Sequence, residues 1–464
     1  MSLGAIVLAA GQGTRMRSTR PKVLHRLAGR PMIGWVMDAV EGAGAEHVVV
    51  VVGPDAEAVA AVLPAGVRVA VQEERLGTGH AAAVGLAALD GGCDRLLVLY
   101  GDTPLLDADL VGGLAEEHAR SGRAGTLVSA VLDDPAAYGR VLRGSDGTVA
   151  RVVEARDAGP DELAVTEVNA GVYAFQRDPL ARALDGISRD NAQGEAYLPD
   201  ALPLLGGPVG ALVAVDARIV LGVNTRADLA TCEAILQARL REALMLSGVT
   251  MPDPSAVYLE AGVSVGADTV LWPGVHLRGA TSVAEGCEIG PDVVITDGRI
   301  GAETTVVSAH IVASEVGARC QIGPFAYLRP GTRLADRVKI GTSVEVKNSA
   351  IGAGTKVPHL SYVGDAAVGE GTNIGAGNIT ANHDGFRKHR TTIGDRVRTG
   401  SDCVFVAPVT VGDDAMTGAG SIITDDVPPG ALGIARERQS VIEGFTERAR
   451  ARAAERDGDA DSGG

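Results

Sequence analysis

The sequence has few aromatic residues, and this shortage limits the cores that it can build. Phe, Trp and Tyr make up 3% of its 464 residues, whereas glycine occupies 62 positions. Few rings and many glycines argue against a sandwich of sheets filled by large side chains. The composition instead indicates many tight turns around a core of small and aliphatic residues. The length favours two or three domains.

Three further absences narrow the class of protein. The five cysteines are scattered and form no CxxC pair, which argues against a disulfide framework and a structural zinc site. No basic segment precedes an apolar run, and no apolar stretch approaches the ~20 residues that span a bilayer. The formal net charge of −16 argues against general nucleic-acid binding. We therefore expect a cytoplasmic protein without membrane insertion or a nucleic-acid partner.

The first half of the chain alternates strands and helices. Residues 4–10, 47–53 and 95–100 are continuous apolar runs of strand length, and 34–42 and 79–89 lie between them as helical stretches. Apolar runs without polar alternation suit parallel strands that are covered on both faces. The pattern predicts a Rossmann-like α/β domain over 1–224, with ligands at the carboxyl ends of the strands. A linker helix is predicted over 225–246.

The second half changes period. From about residue 252, aliphatic residues recur every six positions, and the count is interrupted by 382–390, which we expect to be a protruding loop. A six-residue repeat is the signature of a parallel β-helix, in which one hexad forms one side of each coil. We predict this domain over 247–445. The remaining 446–464 lack apolar periodicity and are predicted to be a disordered tail.

A glycine-rich turn follows the first predicted strand. Residues 8–17 read LAAGQGTRMR, with Arg15 at the end of the turn and Lys22 shortly after it. Backbone N–H groups in such a turn can approach phosphate. An ordinary turn with surface cations is the alternative, but the length and position of the motif favour phosphate binding.

Two oxygen-bearing residues are candidate Mg²⁺ ligands. Asp102 ends a buried strand in YGD, and Asn224 ends the last α/β segment in GVNT. A carboxylate beside a phosphate loop is a natural Mg²⁺ ligand. Taken alone, Asp102 fits a turn or a helix cap equally well, and Asn224 is more typical of an N-cap.

The order of several motifs resembles a known family. LAAGQGTRM, PKVLH, QEERLGTGHA, YGD, VEARDA, VNAGVYAF and VNTRADL resemble nucleotidyltransferases that make nucleotide sugars. Together with VEVKNS, GTKVPHLSYVGD and NIGAGNI, nearly the whole chain resembles the bifunctional N-acetylglucosamine-1-phosphate uridyltransferase / glucosamine-1-phosphate acetyltransferases, the GlmU family. The resemblance implies a nucleotidyltransferase domain followed by a left-handed parallel β-helix. It also implies a homotrimer whose acetyl site forms where subunits meet.

The resemblance assigns roles to residues of the first half, which would transfer uridylyl from UTP to N-acetylglucosamine-1-phosphate with Mg²⁺. The nucleotide would contact Leu8, Ala9, Gly11, Gly13, Arg15, Lys22, Gln72, Gly77 and Thr78. The sugar would contact Gly139, Glu154 and Asn169. The metal ion would be held by Asp102 and Asn224.

The resemblance also assigns roles in the second half, which would first move the acetyl group of acetyl-CoA to glucosamine-1-phosphate. His359 would be the general base and Glu345 would orient or polarise it, although from the residues alone His359 is better explained as a surface residue. The sugar phosphate would contact Arg329, Lys347, Tyr362, Asn373 and Lys388. Acetyl-CoA would contact Asn382, His383, Ser401, Ala419 and Arg436, with Asn382 also near the sugar amine.

The chain departs from the family pattern at Arg75, where Gln is usual, and at His383, where Tyr is usual. These departures leave room for a related sugar-phosphate enzyme, or for one active half. A non-catalytic regulatory chain of the same architecture is a third hypothesis, but such a chain is expected to lose Asp102, Asn224 or His359. Because all three residues are retained, the bifunctional enzyme of UDP-N-acetylglucosamine synthesis is the first of the three hypotheses.

Overall fold

The computed structural model describes residues 2–54, 56–89 and 92–461 and divides the chain into two compact units. The first unit comprises 1–247 with 253–263 and 277–279, and the second comprises 248–252, 264–276 and 280–464. The first unit thus extends past residue 224, where we predicted a domain boundary.

The first unit is built from short strands and helices in alternation. Its strands are β1 (Ser2–Ala9), β2 (Arg26–Leu27), β3 (Arg30–Pro31), β4 (His47–Val52), β5 (Arg68–Val71), β6 (Cys93–Tyr100), β7 (Gly125–Val131), β8 (Arg140–Arg143), β9 (Val149–Val153), β10 (Glu167–Gln176), β11 (Val209–Val213) and β12 (Val257–Leu259). Its α-helices are α1 (Met32–Gly42), α2 (Ala56–Ala60), α3 (Thr78–Ala88), α4 (Ala108–Ser121), α5 (Pro160–Leu163), α6 (Arg177–Asp185) and α7 (Arg226–Leu246). Its 3₁₀ helices are Thr14–Met16, Lys22–Leu24, Leu198–Leu204, Ala217–Val220 and Pro254–Ala256.

The main sheet has the order β11-β7-β10-β6-β1-β4-β5. Strands β5, β4, β1 and β6 are parallel, as predicted, but β10 runs antiparallel to both β6 and β7. The sheet is therefore mixed rather than wholly parallel, because the chain returns through the antiparallel pair of β8 and β9 instead of through a long crossover.

Both faces of the sheet are buried, as the continuous apolar runs indicate. Successive residues of β1 enter opposite cores: Val7 packs into one apolar cluster and Ile6 into the other, and neither is exposed. Side chains alternate across a strand, so a run without polar positions requires cover on both sides.

Helix α7 packs on the first unit. Thr225 accepts a hydrogen bond from the backbone N–H of Asp228, whose carboxylate accepts one from Thr225 in return. This capping box starts the helix. Cys232 and Leu236 are then buried against Leu27 and other residues of the first unit.

The second unit consists of very short parallel strands, named here in chain order. They are β13 (Ser264–Val265), β14 (Val270–Leu271), β15 (Val275–Arg278), β16 (Ser282–Val283), β17 (Glu288–Ile289), β18 (Val294–Thr296), β19 (Arg299–Ile300), β20 (Thr305–Val306), β21 (Ala309–Val312), β22 (Glu315–Val316), β23 (Gln321–Ile322), β24 (Ala326–Leu328), β25 (Arg333–Leu334), β26 (Lys339–Thr342), β27 (Glu345–Lys347), β28 (Ala350–Ile351), β29 (Lys356–His359), β30 (Tyr362–Gly364), β31 (Ala366–Val368), β32 (Ile379–Ala381), β33 (Thr391–Ile393), β34 (Val404–Val406), β35 (Val409–Val411), β36 (Met416–Thr417), β37 (Ile422–Ile423) and β38 (Leu432–Gly433). A terminal helix is α8 (Phe445–Asp461).

These strands stack into three sheets, one for each side of a coil. One sheet runs β15-β18-β21-β24-β27-β30-β32-β34-β37, the second runs β13-β16-β19-β22-β25-β28-β31-β33-β35, and the third runs β14-β17-β20-β23-β26-β29, while β36 and β38 form a separate pair. The hexad residues fill the interior: Leu328, Val346 and Val363, for example, lie in register on successive coils and are at most 2% exposed. The predicted β-helix is confirmed, and its parallel sheets are consistent with the left-handed form.

Residues 382–390 lie outside the named strands, between β32 and β33, where we predicted a protruding loop. The Asp384 carboxylate organises this loop by accepting hydrogen bonds from the backbone N–H groups of Phe386 and Arg387 and from the His389 ring. Phe386 is 92% exposed at its tip.

The terminal segment differs from our prediction of disorder from residue 446 onward. Residues 445–461 form α8, and residues 462–464 lie outside the described residues. The Ala, Arg and Glu residues that give this segment no apolar periodicity are themselves strong helix formers. Low hydrophobicity in this segment therefore indicates a lack of burial and not a lack of helix.

Candidate functional sites

The phosphate loop of the first unit follows β1 at the carboxyl edge of the sheet. Gly13 has a φ of 62°, and a Cβ at this position would lie 2.8 Å from the Cβ of Lys22. Only glycine accommodates both the left-handed backbone and this close approach. Gly101 N–H, at the end of β6, donates to the Leu8 oxygen at 2.9 Å and joins the two strand ends. The loop and the YGD turn therefore lie side by side, as parallel strands require.

Four predicted residues converge beside this loop. The Lys22 ammonium forms a short ion pair with the Asp102 carboxylate and donates to Asn224 Oδ1 at 3.3 Å. Arg15 donates to the same oxygen at 2.9 Å. The Asp102 backbone is held by Val223, whose N–H donates to the Asp102 oxygen at 2.8 Å.

The oxygens of Asp102 and Asn224 both face one cation, the Lys22 ammonium, in this structure. A carboxylate with an amide oxygen is a donor set that suits Mg²⁺, which usually keeps several waters and is completed by substrate phosphates. Among the described residues, no group of three or more His, Cys, Asp and Glu side chains could hold a metal ion. The residues fit a magnesium ion shared with a phosphate ligand rather than a closed protein cage.

A cavity of about 540 Å³ opens beside this cluster. Of the predicted nucleotide-binding residues, those that line it are Leu8, Ala9, Gly11, Lys22, Gln72, Gly77 and Thr78. Gln72 is 3% exposed, and its Nε2 donates to the Gly77 oxygen at 3.1 Å. Gly77 has a φ of 104°, and a Cβ there would lie 2.5 Å from the Ala196 oxygen. The sequence LGTG thus forms a close turn at the start of α3.

Arg75, the departure from the family pattern, lies between this cavity and a second one of about 260 Å³ and lines both. Its Nε donates to the Ala10 oxygen at 2.9 Å, at the base of the phosphate loop. Its guanidinium lies against Gly53, where a Cβ would be 2.7 Å from Nη2. The terminal Nη groups have no hydrogen-bond partner within the part of the chain that the structure describes. A guanidinium in this position can meet an anionic ligand of either cavity.

The three predicted sugar-binding residues also come together. Asn169 N–H donates to the Gly139 oxygen at 2.8 Å, and its side chain donates to the Tyr173 hydroxyl at 2.6 Å. A Cβ at Gly139 would lie 3.3 Å from Glu154 Oε1, so the absence of a side chain leaves room for that carboxylate.

Glu154 lines a third cavity of about 280 Å³, together with Asp157, Tyr197 and Asp200. Burial, followed by the charges of Asp200 and Asp157, raises the pKa of Glu154 above its usual value. Burial and the Glu154 charge also raise the pKa of the Tyr100 phenol, which lines the 540 Å³ cavity. The candidate sugar residues therefore lie next to the candidate nucleotide cavity.

On the β-helix, a group of cations surrounds one carboxylate. Lys347 Nζ lies 3.5 Å from Asp365 Oδ2, and the Lys347 ammonium lowers the pKa of neighbouring Lys388. Arg329 also lowers the pKa of Lys388 and forms a 2.8 Å ion pair with Glu345. The predicted sugar-phosphate residues Arg329, Lys347 and Lys388 thus form one cationic surface, which can bind a phosphate.

Tyr362 belongs to the same group. Its hydroxyl accepts a hydrogen bond from Asn382 at 3.4 Å, and its ring lies over Gly364, where any Cβ would overlap the phenol. The Asn382 amide also donates to Asp365. The structure therefore joins Tyr362 to Asn382, which was predicted to lie near the sugar amine as well as acetyl-CoA.

His359 lies at the end of β29 with an exposed side chain. Gly377 N–H donates to the His359 oxygen at 3.3 Å, and Asn373 bridges to Lys356, three residues before His359. Glu345 lies in a different sheet, and its partner is Arg329. Among the described residues, no hydrogen bond connects Glu345 to His359.

The predicted acetyl-CoA residues fall into two groups. Asn382 and His383 begin the loop at 382–390, and His383 Nδ1 accepts from the Gly385 N–H at 3.2 Å. Ser401, Ala419 and Arg436 follow one another on successive coils: Gly420 N–H donates to the Ser401 oxygen at 2.8 Å, and a Cβ at Gly420 would lie 4.0 Å from Arg436 Cδ.

Sequence reasoning missed two residues that the structure brings to the sites. Tyr100 lines the nucleotide cavity, and Asp365 is 8% exposed at the centre of the cationic group. They stand within YGD and YVGD, but only their contacts distinguish them from ordinary turn residues. A third residue, Arg75, was marked by the sequence only as a departure from the family pattern, and the structure adds that it lines the nucleotide cavity beside the phosphate loop.

Comparison with known proteins first shows the class of protein domain that the chain resembles. Residues 5–193 match the MobA-like NTP transferase domain family, and this range covers the phosphate loop and all strands of the main sheet except β11 and the first residues of β1. A protein named "Bifunctional protein GlmU" from Heliobacterium modesticaldum is 49% identical, over 96% of this chain and 98% of its own length. Proteins of the same name from Streptomyces coelicolor and Mycolicibacterium gilvum are 49% and 50% identical over 96% of this chain, and over 94% and 92% of their own lengths.

Such identity over nearly the whole chain shows that it belongs to the bifunctional GlmU family. The family predicted from the motifs is confirmed, and so is an enzyme with a uridyltransferase and an acetyltransferase activity. The hypothesis of a non-catalytic chain is not favoured. Among the described residues, none of the helices has both the length and the apolar character needed to span a bilayer.

Proposed function

We propose that the first unit transfers uridylyl from UTP to N-acetylglucosamine-1-phosphate and that the β-helix transfers acetyl from acetyl-CoA to glucosamine-1-phosphate. The single observation that best supports this is the pair of separate cationic sites in one chain. One is Arg15 and Lys22 beside a phosphate loop, and the other is Arg329, Lys347 and Lys388 on the β-helix. Each substrate pair includes a phosphate that such a site would hold.

In uridylyl transfer, a phosphate oxygen of the sugar phosphate attacks the α-phosphorus of UTP, and pyrophosphate leaves. The protein supplies no nucleophile for this step, so its work is positioning and charge stabilisation. Arg15 and Lys22 would hold the phosphates, and the turn at Gly11 would offer backbone N–H groups. Gln72, Gly77 and Thr78 would hold the base in the 540 Å³ cavity. Gly139, Glu154 and Asn169 would hold the sugar.

Asp102 and Asn224 would hold Mg²⁺, which when bound neutralises charge on the phosphate groups. Lys22, which pairs with Asp102 in this structure, would then be free to hold a phosphate group. The Asp102 carboxylate would thus face a cation with or without the metal ion.

In acetyl transfer, the amine of glucosamine-1-phosphate attacks the thioester carbonyl of acetyl-CoA, and CoA leaves as the thiol. His359 would accept the proton that the amine loses. Arg329, Lys347 and Lys388 would hold the sugar phosphate, while Tyr362 and Asn373 would hold the sugar. Asn382, His383, Ser401, Ala419 and Arg436 would contact acetyl-CoA. The contact of Glu345 with Arg329 supports a role for Glu345 in orienting that cation rather than in touching His359.

The assembly that we propose is a homotrimer, and the location is the cytoplasm. Partly exposed apolar side chains follow one sheet of the β-helix in register. Ile379 and Ile422 are 44% and 55% exposed on its outer face, in one column with the partly buried Tyr362 and Val404. A stripe of this kind is suited to contact with other copies of the chain.

The proposal is tested by one incubation of purified protein with glucosamine-1-phosphate, acetyl-CoA, UTP and Mg²⁺, read by mass spectrometry. We expect CoA, pyrophosphate and UDP-N-acetylglucosamine. Accumulation of N-acetylglucosamine-1-phosphate alone would show that only the β-helix half acts on these substrates. Formation of no product, with substrates unchanged, would contradict both assignments.

A further inference from the structure

Asp365 lies at a corner of the β-helix, between β30 and β31. Its carboxylate makes hydrogen bonds and an ion pair that the turn itself does not require. The residue is 8% exposed and its side chain is 12% exposed. Its backbone φ is 49°, in the left-handed region that Asp tolerates better than most residues. Oδ1 accepts from the Asn348 amide at 2.6 Å. Oδ2 is shared by the Asn382 amide and the Lys347 ammonium.

The backbone of Asp365 is tied to the same segments. Its N–H donates to the Lys347 oxygen at 2.9 Å, and its oxygen accepts from Thr391 N–H at 3.3 Å. Thr391 is the first residue after the loop at 382–390, and Asn382 is the first residue of that loop. Asp365 therefore contacts both ends of the loop that carries Lys388.

The charges around Asp365 show why a carboxylate is needed there. Lys347 and Lys388 lie next to each other, with Arg329 within electrostatic reach of Lys388. Three cations brought together repel one another until an anion binds. Burial opposes ionisation of Asp365, but the hydrogen bonds from Asn348 and Asn382 and the Lys347 charge lower its pKa below the usual value. It thus remains an anion that holds these groups.

We propose that Asp365 is a positioning residue of the acetyltransferase site, which holds the Lys347 ammonium and the Asn382 amide where they contact the substrates. It does not itself touch substrate, because its carboxylate is turned toward Lys347, Asn348 and Asn382. The inference rests on the proposed function of the β-helix. It adds that one buried carboxylate positions both the lysine that would bind phosphate, Lys347, and the loop at 382–390 that would contact acetyl-CoA.

The test is Asp365→Asn in the full-length chain, because Asn also adopts the left-handed backbone and keeps the size of the side chain. The amide has no charge for Lys347 and presents only one acceptor oxygen to Asn348 and Asn382. We expect the KM for glucosamine-1-phosphate to rise by about tenfold or more, since a charged hydrogen bond is lost. Uridylyl transfer by the same preparation should be unchanged, which reports that the first unit is folded and active.

Asp297→Asn is the matched control. Asp297 also occupies a left-handed corner of the β-helix, with a φ of 53°, and its Oδ1 accepts a backbone hydrogen bond from Ala280 at 2.9 Å. It has no contact with the cationic group. We expect its substitution to leave both KM values of acetyl transfer within about twofold.

A double-mutant cycle with Lys347→Ala distinguishes a positioning role of Asp365 from a purely structural one. If Asp365 acts through Lys347, adding Asp365→Asn to Lys347→Ala should raise the KM for glucosamine-1-phosphate much less than it does in the wild type. Fully additive effects, or an unchanged KM in Asp365→Asn, would overturn the proposal. A wild-type chain with no acetyl transfer would contradict the proposed function instead, so the two failures are distinct.

Discussion

At the scale of single residues, the candidate uridylyl site depends on one carboxylate. Asp102 is paired with Lys22, and its side chain is 22% exposed, so it is reachable from the cavity. Asp102→Asn preserves the shape of the turn but removes the charge that both Lys22 and a metal ion would meet. We expect uridylyl transfer to fall by at least about 100-fold. Acetyl transfer should stay near the wild-type rate.

Pyrophosphate release and CoA release measure the two activities on the same sample. The matched substitution in the other half is His359→Ala, which should lower CoA release and spare pyrophosphate release. Loss of both activities in either folded variant would contradict two separate sites.

Arg75 gives a second prediction at this scale. Its Nε is held by the Ala10 oxygen while its Nη groups face two cavities beside the phosphate loop. We expect Arg75→Gln, which restores the usual family residue, to raise the KM for UTP by roughly 3- to 10-fold, because one phosphate-facing cation is removed. Initial rates at varied UTP measure this.

The control for Arg75 is Arg182→Gln, which removes an exposed cation of α6 that lines none of the three cavities described above. An equal rise in both variants would indicate a general effect of net charge. No rise in Arg75→Gln would mean that this guanidinium serves only to hold the loop.

At the scale of elements, α4 is joined to β7 by a buried histidine. His118 is 1% exposed, and its Nδ1 lies 3.0 Å from Thr126 Oγ1. Burial, with the charge of Arg95, lowers the pKa of His118 to about 4 from 6.5. Above pH 6.5 the ring is neutral in both the folded and the unfolded chain, so it does not change stability with pH there. Between pH 6.5 and 4 only the unfolded chain binds the proton, so the folded unit loses stability as pH falls.

The expected loss is up to roughly 3 kcal/mol, at ~1.4 kcal/mol per pKa unit. His118→Gln keeps a polar partner for Thr126 but does not titrate, so its stability should fall less between pH 6.5 and 4. Trp35 lies in the first unit, and a Trp272→Phe background leaves it as the only tryptophan to report unfolding. Identical pH profiles for the two proteins would contradict this role of His118.

At the scale of the whole molecule, the β-helix presents an apolar stripe in register on one sheet. Ile379 lies at its centre, next to Tyr362 on the preceding coil and Val404 on the following coil. We expect Ile379→Glu to convert a trimer to monomers, because a charge would then be buried against other copies. Acetyl transfer should fall as the trimer dissociates, while uridylyl transfer should persist.

Light scattering with both activity assays measures this effect. Thr392→Glu adds the same charge to an exposed position of a different sheet and serves as the control. If the wild-type protein has the molecular mass of a single chain, the proposed trimer is contradicted directly. A monomeric Ile379→Glu with full acetyl transfer would show that the site does not need a second subunit.

The periodic features of this protein were readable from the sequence because their causes are local. A hexad places Leu328, Val346 and Val363 inward on successive coils, since each coil repeats the same short geometry. Gly13 was recognisable within its glycine-rich turn because left-handed backbone and close contacts require glycine. The helix over 445–461 was missed because hydrophobic periodicity reports burial, and this helix is exposed along its described side chains.

The sequence by itself therefore determined the two kinds of fold, the phosphate loop and, through the order of motifs, the family. Only the tertiary structure decided which side chains meet. Lys22 reaches Asp102 and Asn224 across 80 and 202 residues, and Asp365 gathers Lys347 and Asn382 from separate coils. Spacing along the chain carries no record of such contacts, because the sheet order and the register of the coils create them.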